Sequence, residues 1–333
     1  MRIKPVRKII QLLFLPIAYA GFVVPSMTHI IYPSIHCYSC PLSIYICPVG
    51  IVQNFVKMPS FPFYFLGWLV VYGVAFGRTI CGWLCPFGLF NDILSPLNRI
   101  KHPPRILPKI FIAVFIATMF ISSYSINPRA AVGVVALTLL FLFILHDLHL
   151  AKYLLLTFSL IMALVFADTI FCKSCAVATL ESSFPYLLMS LLRKSSVQVD
   201  FTSISFFVHI SVLVIAICGI TTTAKRFWCR YLCPMGALLA IFNRVSFITI
   251  RRNKERCEGS EKKKCSSECI KACPMGVTGI AKRKTIDSGD CIRCGACADA
   301  CPNHELRLTI RFLPLSTTAD SADKEAIKTD KKH

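Results

Sequence analysis

Acidic residues are scarce in this chain. Asp and Glu number 17 against 37 Lys and Arg in 333 residues, and all charged residues together make up only 16%. So little charge, beside 55% apolar residues and a mean hydropathy of +0.62, argues against an ordinary soluble domain and for a membrane protein. No Gly-rich phosphate loop, nucleophile elbow or HExxH zinc motif is present, which removes the commonest routes to nucleotide, ester and peptide hydrolysis. The formal charge of +20 would suit nucleic acid, but the bases sit mainly at the ends of apolar segments and in the C-terminal third. That distribution fits membrane topology, and no nucleic-acid partner is expected.

What is abundant is cysteine. Eighteen are present, most in CxxC, CxxxC or CP contexts, a pattern of metal ligation more than of a disulfide framework in a small secreted domain.

Apolar stretches at about 9–32, 61–80, 106–126, 131–149, 153–171 and 204–223 reach the ~20 residues a helix needs to cross a bilayer. They predict an all-α polytopic membrane bundle of about six helices over residues 1–245. Arg2, Lys4, Arg7 and Lys8 before the first stretch, Arg99, Lys101, Arg105 and Lys109 after the second, and Lys225, Arg226 and Arg230 after the sixth put both termini in the cytoplasm. The protein is accordingly expected in the cytoplasmic (inner) membrane, in contact with lipid. Ala18-Tyr19-Ala20 resembles a signal-peptide cleavage site, but the apolar run continues to Val24, so an uncleaved anchor is expected. Residues 246–312 turn polar and read as a small α+β ferredoxin-like domain; 313–333 read as a disordered tail.

Within that small domain, Cys291-x2-Cys294-x2-Cys297-x3-Cys301-Pro302 matches the bacterial ferredoxin run, whose fourth cysteine serves the neighbouring cluster. The partner run, Cys257-x7-Cys265-x3-Cys269-x3-Cys273-Pro274, is looser. Crossed ligation assigns Cys291, Cys294, Cys297 and Cys273 to one [4Fe–4S] cluster and Cys257, Cys265, Cys269 and Cys301 to the other. The irregular spacing of the second set also admits a [3Fe–4S] centre or a shifted ligand.

Two further segments align without gaps: Arg78-Thr-Ile-Cys81-Gly-Trp-Leu-Cys85-Pro86-Phe-Gly88 and Arg226-Phe-Trp-Cys229-Arg-Tyr-Leu-Cys233-Pro234-Met-Gly236. Cysteines four apart share one side of a helix, so each copy presents a two-thiol face. This doubled R-x-x-C-x-x-L-C-P-x-G pattern, followed by a double ferredoxin motif, resembles NapH-type membrane ferredoxins and the C-terminal halves of NosR-type regulators. The resemblance implies an inner-membrane electron carrier linked to the quinone pool, often as part of a quinol dehydrogenase serving a redox partner protein. The function expected from it is transfer of electrons between quinone and that partner through two cytoplasmic clusters, with the chain an electron-transfer subunit more than an enzyme in its own right.

Each half also carries a CxxC pair on the other predicted face: Cys37-Tyr-Ser-Cys40 and Cys172-Lys-Ser-Cys175, with Cys47 near the first. Cys37, Cys40, Cys172 and Cys175 are expected to form one outer site, a metal centre or a pair of disulfides. Cys81, Cys85, Cys229 and Cys233 are expected to form one inner metal or redox site, with packed reduced thiols as the simpler reading. Some ~30 Å of hydrocarbon would separate the two sets, too far for one electron hop, so an intermediate such as bound quinone would be needed. His29 and His209 are candidates for quinol proton transfer or, less simply, haem ligation. Trp68, Trp83 and Trp228 read as interfacial anchors, and Cys218 as a small core residue. Lys262–Lys264 and Lys282–Lys284 read as solvated faces near the clusters. Two alternative functions remain open at this level: a thiol–disulfide relay using the outer CxxC pairs, and a redox sensor or assembly factor.

Overall fold

The computed structural model describes residues 3–23, 49–50, 52–53, 63–98, 104, 106–124, 150–166, 170–191, 203–252, 268–277, 280, 285–301 and 305–311. Among the described residues are a two-stranded sheet and thirteen α-helical pieces. They are α1 (Ile3–Val23), α2 (Phe63–Phe76), α3 (Thr79–Trp83), α4 (Pro86–Leu94), α5 (Ile106–Tyr124), α6 (Ala151–Phe166), α7 (Ile170–Lys173), α8 (Ala176–Ala178), α9 (Phe184–Leu191), α10 (Ile204–Thr222), α11 (Pro234–Phe242), α12 (Glu268–Lys271) and α13 (Ala296–Asp299). π-helical segments at Thr179–Ser183 and Trp228–Leu232 join α8 to α9 and precede α11.

The expected six-span bundle is not what the structure shows: among the described residues no helix is long and apolar enough to cross a membrane. One apolar run is visibly broken. The 61–80 run holds a 14-residue helix that ends at Phe76, and Gly77, at φ 53°, turns the chain into α3. At 1.5 Å per residue such a helix reaches only ~21 Å. The 21 residues of α1 include Arg7, Lys8 and Pro16. The run at 131–149, with His146 and His149, lies outside the described residues, as does the tail at 313–333.

The core is apolar and aromatic. Phe115 of α5 meets Phe171 and Trp228 edge to face, with ring centroids 6.1 and 5.0 Å apart. Ile112, Ile116, Val212 and Ala216 fill the α5–α10 contact and are almost wholly buried. Stacked interdigitation of this kind is what converts apolar sequence into one packed body.

In the C-terminal part, β1 (Ile248–Arg252) pairs antiparallel with β2 (Leu306–Ile310), Ile248 opposite Ile310 and Arg252 opposite Leu306. The two strands bracket the ferredoxin-like stretch between them. The strand edge also binds that stretch directly, since Ile286 N–H donates to the Ile250 carbonyl at 3.0 Å. The other end is tied to the N-terminus: the Asp299 carboxylate accepts from the Ile3 and Lys4 N–H groups, each at 2.7 Å. An acid far along the chain thereby caps the first turn of α1.

Candidate iron–sulfur sites

The run Cys291–Cys297 is a tight loop. Arg293 (φ 51°) and Gly295 (φ 75°) both adopt the left-handed conformation, which folds the backbone around a common centre. Gly295 takes that shape freely, but at Arg293 it is strained. The helical body holds that residue at both ends. The Arg293 guanidinium donates to the Asn243 carbonyl at 2.6 Å, and the Arg293 carbonyl accepts from the Trp83 indole N–H at 3.0 Å.

Cys291, Cys294 and Cys297 line one partly enclosed cavity together with Cys273, in a wall that includes Ile250, Met275, Val277, Ile280, Ile286 and Arg293. These are the four thiols that crossed ligation groups together. Burial pushes Cys291 up to about 12 and raises Cys273 and Cys297 as well, so these three would be neutral as bare thiols. Around Cys273, the backbone N–H groups of Val277, Met275 and Gly276 oppose that rise. N–H groups aimed at sulfur are what an iron-bound thiolate needs. The lining therefore fits an iron–sulfur cluster: four sulfurs, a dry wall and amides to carry its charge.

Cys269, buried in α12, and Cys301, half-buried just beyond α13, flank that cavity without lining it. Cys257 and Cys265, assigned with them to the second cluster, lie outside the described residues. Among the described residues no three His, Cys, Asp or Glu side chains converge closely enough for a single metal ion. A cubane asks for something different, because each thiolate binds its own iron and the sulfurs stand farther apart than around one zinc at ~2.3 Å.

The two R-x-x-C-x-x-L-C-P-x-G copies have the same local geometry. Cys85 N–H bonds to the Ile80 carbonyl at 3.1 Å and Cys233 N–H to the Trp228 carbonyl at 2.9 Å, both five residues back. This π turn widens the helix just where the paired cysteines sit. Each second cysteine then caps a new helix whose first residue is Pro86 or Pro234. The Cys233 sulfur accepts from Gly236 N–H at 3.3 Å.

The arginines of the motif, to which sequence reasoning gave no part in the site, link the copies crosswise. Arg78 of the first copy donates to the Cys229 carbonyl of the second at 2.9 Å, and Arg226 donates to the Cys81 carbonyl at 3.1 Å. The motif glycines leave room for this: a Cβ on Gly88 would sit 3.3 Å from Arg226, and one on Gly236 only 2.8 Å from Arg78. Arg226 forks onto Asp92 at 2.6 and 3.2 Å, and Arg7 reaches the same carboxylate at 2.9 Å. The position equivalent to Asp92 in the second copy is Ala240. There the acid comes from elsewhere: Asp290, beside Cys291, lies 3.7 Å from Arg78 and pairs with Lys152. Gly289 rests against Ala240, and its carbonyl accepts from Arg78 at 2.8 Å.

The cluster loop thus sits directly on the motif. Asn243 donates to the Ser288 and Cys291 carbonyls at 2.8 Å each, and a Cβ on Gly82, between Cys81 and Cys85, would come within 2.4 Å of the Ile292 carbonyl. Trp83 is part of this junction, and Trp228 is a core residue, fully buried beside Cys229; the expectation that both are interfacial anchors does not hold. Trp68 stacks on Tyr72 at 4.6 Å.

Cys81, Cys85, Cys229 and Cys233 are all buried. Burial pushes Cys229 up to about 11 and Cys233 well up, with neighbouring Cys229, Cys81 and Cys175 adding to the latter. Cys175 is therefore within electrostatic reach of Cys233, so a bilayer's width does not separate the CxxC pair from the inner set as the sequence suggested. The chain folds back through α8 and the following π segment, which pack on α10 near the motif. Cys172 donates to the Gln53 side chain at 3.4 Å. Cys37, Cys40, Cys47 and His29 lie outside the described residues. His209 Nδ1 is 3.0 Å from the Thr179 hydroxyl, which donates to the Cys175 carbonyl. With that proton committed, Nδ1 is the donor to Thr179.

Family models match three stretches of the chain. A "4Fe-4S binding domain" matches twice, at residues 57–104 and 206–256, once for each motif copy. A "4Fe-4S dicluster domain" matches residues 263–306, which takes in seven of the eight C-terminal cysteines and leaves out Cys257. An uncharacterised protein of Methanocaldococcus jannaschii is 24% identical over 80% of this chain and 87% of its own length. The putative electron transport protein YccM of Escherichia coli is 24% identical over 70% of this chain, which spans about half (51%) of YccM. The ferredoxin-type protein NapH of Escherichia coli is 27% identical over 26% of this chain and 30% of its own. No solved structure matches. Read with the doubled cysteine motif, these likenesses make the chain similar to the 4Fe–4S ferredoxin-type proteins, NapH and the NosR regulators among them.

Proposed function

We propose that this chain carries single electrons between a quinone and a partner redox protein through two [4Fe–4S] clusters in its C-terminal part. The observation that carries the reading is the cavity where Cys273, Cys291, Cys294 and Cys297 meet in an apolar wall, docked on the doubled motif. These four hold one cluster; Cys269 and Cys301, with Cys257 and Cys265, hold the other. Residues 1–245 form the unit that meets the electron donor and 246–312 the cluster unit. Bound there, a cubane supplies one-electron redox chemistry at a potential set by burial and by hydrogen bonds to sulfur. The chain's own residues keep water out, aim amides at Cys273 and fix the loop through Arg293 and Asn243.

The helical body meets lipid in this reading. Leu13, Val71, Leu164, Val165 and Phe207 are each more than half exposed, an apolar surface too broad for water alone. In this reading His209, hydrogen-bonded with Thr179, exchanges the quinol proton. The test is a potentiometric EPR titration of the anaerobically purified full chain, followed by reduction with a short-chain quinol. Two reducible [4Fe–4S] signals that the quinol fills support the reading; a protein without iron and acid-labile sulfide overturns it.

A further inference from the structure

The doubled motif holds more positive charge than it can balance. Arg7, Arg78, Lys152 and Arg226 are at most 5% exposed, and among the described residues the carboxylates they meet are Asp92 and Asp290. Four cations against two carboxylates, with Arg293 also fully buried at this junction, leave the motif net positive. Buried charge without a partner costs several kcal/mol per ion, and arginine does not shed its proton. The surplus lies where Cys81, Cys229 and Cys233 surround Arg78, and Cys229 and Cys294 adjoin Arg226. Three buried polar groups at the same place, Arg78 Nε, Thr79 Oγ1 and Trp228 Nε1, have no hydrogen-bond partner among the described residues.

We propose that Cys81, Cys85, Cys229 and Cys233 bind one iron–sulfur centre in common, held between the two motif copies and neutralised by Arg78 and Arg226. A diferric [2Fe–2S] core or a [4Fe–4S]²⁺ core held by four thiolates carries net negative charge, which offsets the surplus. Four neutral thiols or two disulfides carry no charge and would leave it standing. Iron–sulfur is favoured over one zinc ion because the sulfurs do not converge at single-ion spacing. The crossed arginine bonds explain why one centre is shared: each guanidinium is anchored on the backbone of the opposite copy's first cysteine. Contact of Gly82 with Ile292 puts this centre beside the cluster of Cys291 and Cys294. One electron leaves the inner centre, oxidising it, and reduces that cluster, with no atom transferred. The inference rests on the proposed electron-carrying role and adds its entry point.

The test is iron, zinc and acid-labile sulfide per chain, with EPR and Mössbauer spectra, on full-length protein prepared anaerobically. Cys81→Ser and Cys229→Ser should each remove the same iron increment and leave the signals that Cys291→Ser abolishes. Cys218→Ser should leave iron unchanged. Unchanged iron in the Cys81 and Cys229 variants overturns the inference, as does zinc in place of iron. Half the increment lost per substitution also overturns it, since that means one centre per copy. Should these variants fail to fold, the unmodified protein decides: three reducible centres support the shared site and two refute it, while the two-cluster reading survives either result. Arg226→Gln should lower the midpoint potential of the inner centre relative to Arg226→Lys; equal potentials refute the arginine's role.

Discussion

Arg226 of the second motif copy donates to the carbonyl of Cys81 in the first, at 3.1 Å, with its other edge forked onto Asp92. That one side chain joins both copies and α4, and it does so with no exposure to solvent. Removing its acid strands Arg226 and Arg7 as buried charges. Asp92→Ala should therefore destabilise the protein by roughly 3–5 kcal/mol, the usual cost of breaking a buried pair. Glu268→Gln, which breaks an exposed pair with Lys271, should cost under about 0.5 kcal/mol. Denaturant unfolding of the two variants checks both figures.

Gly82 leaves no space for a side chain, because its missing Cβ would lie 2.4 Å from the Ile292 carbonyl. Gly82→Ala should lift the cluster loop off the motif, at a cost of about 1–3 kcal/mol. Faster amide exchange across residues 288–295 would report it. Gly67→Ala, where nothing lies within 4 Å, should leave that exchange unchanged and serves as the control.

Lys152 is buried beside Arg78, and burial followed by that neighbour lowers its pKa from 10.5 to about 8 despite its pairing with Asp290. The folded protein then holds this proton less tightly than the unfolded chain. Folding releases it between about pH 8 and 10.5, so stability from this group rises with pH across that window. The slope of unfolding free energy against pH should fall in Lys152→Met over the same range, which pH-dependent denaturation can measure.

Asp299 caps α1 with two hydrogen bonds of 2.7 Å from a helical turn nearly three hundred residues away. Asp299→Ala should cost about 1 kcal/mol, typical of a lost N-cap. It should also speed exchange at Ile3 and Lys4 without changing iron content.

Much of the site could be read from spacing alone. The C-x2-C-x2-C run and its crossed partner Cys273 required only that a short loop bring sulfurs together, and the cavity contains those four. The repeat was equally plain, because two gapless copies leave a direct trace. What spacing could not reveal was how the copies meet. The arginine and glycine of the motif are visible, but their crosswise bonding depends on which backbone lies opposite, a tertiary fact. Asp92 and Asp290 carried a weaker signal, being among few acids in a basic chain. The membrane spans were misjudged for a different reason: hydropathy measures apolar length and is blind to breaks such as the turn at Gly77. The same error set Cys175 a bilayer away from Cys233.

Ala240 stands where the repeat would otherwise place an acid, and Gly289 with Asp290 has moved into that place from outside. The second copy is thus electrically unfinished until the cluster unit arrives, which makes the junction a matter of charge completion as much as of shape. Severing residues 246–333 would orphan Arg78, and Ala240→Asp is the single change expected to let the remaining body stand by itself.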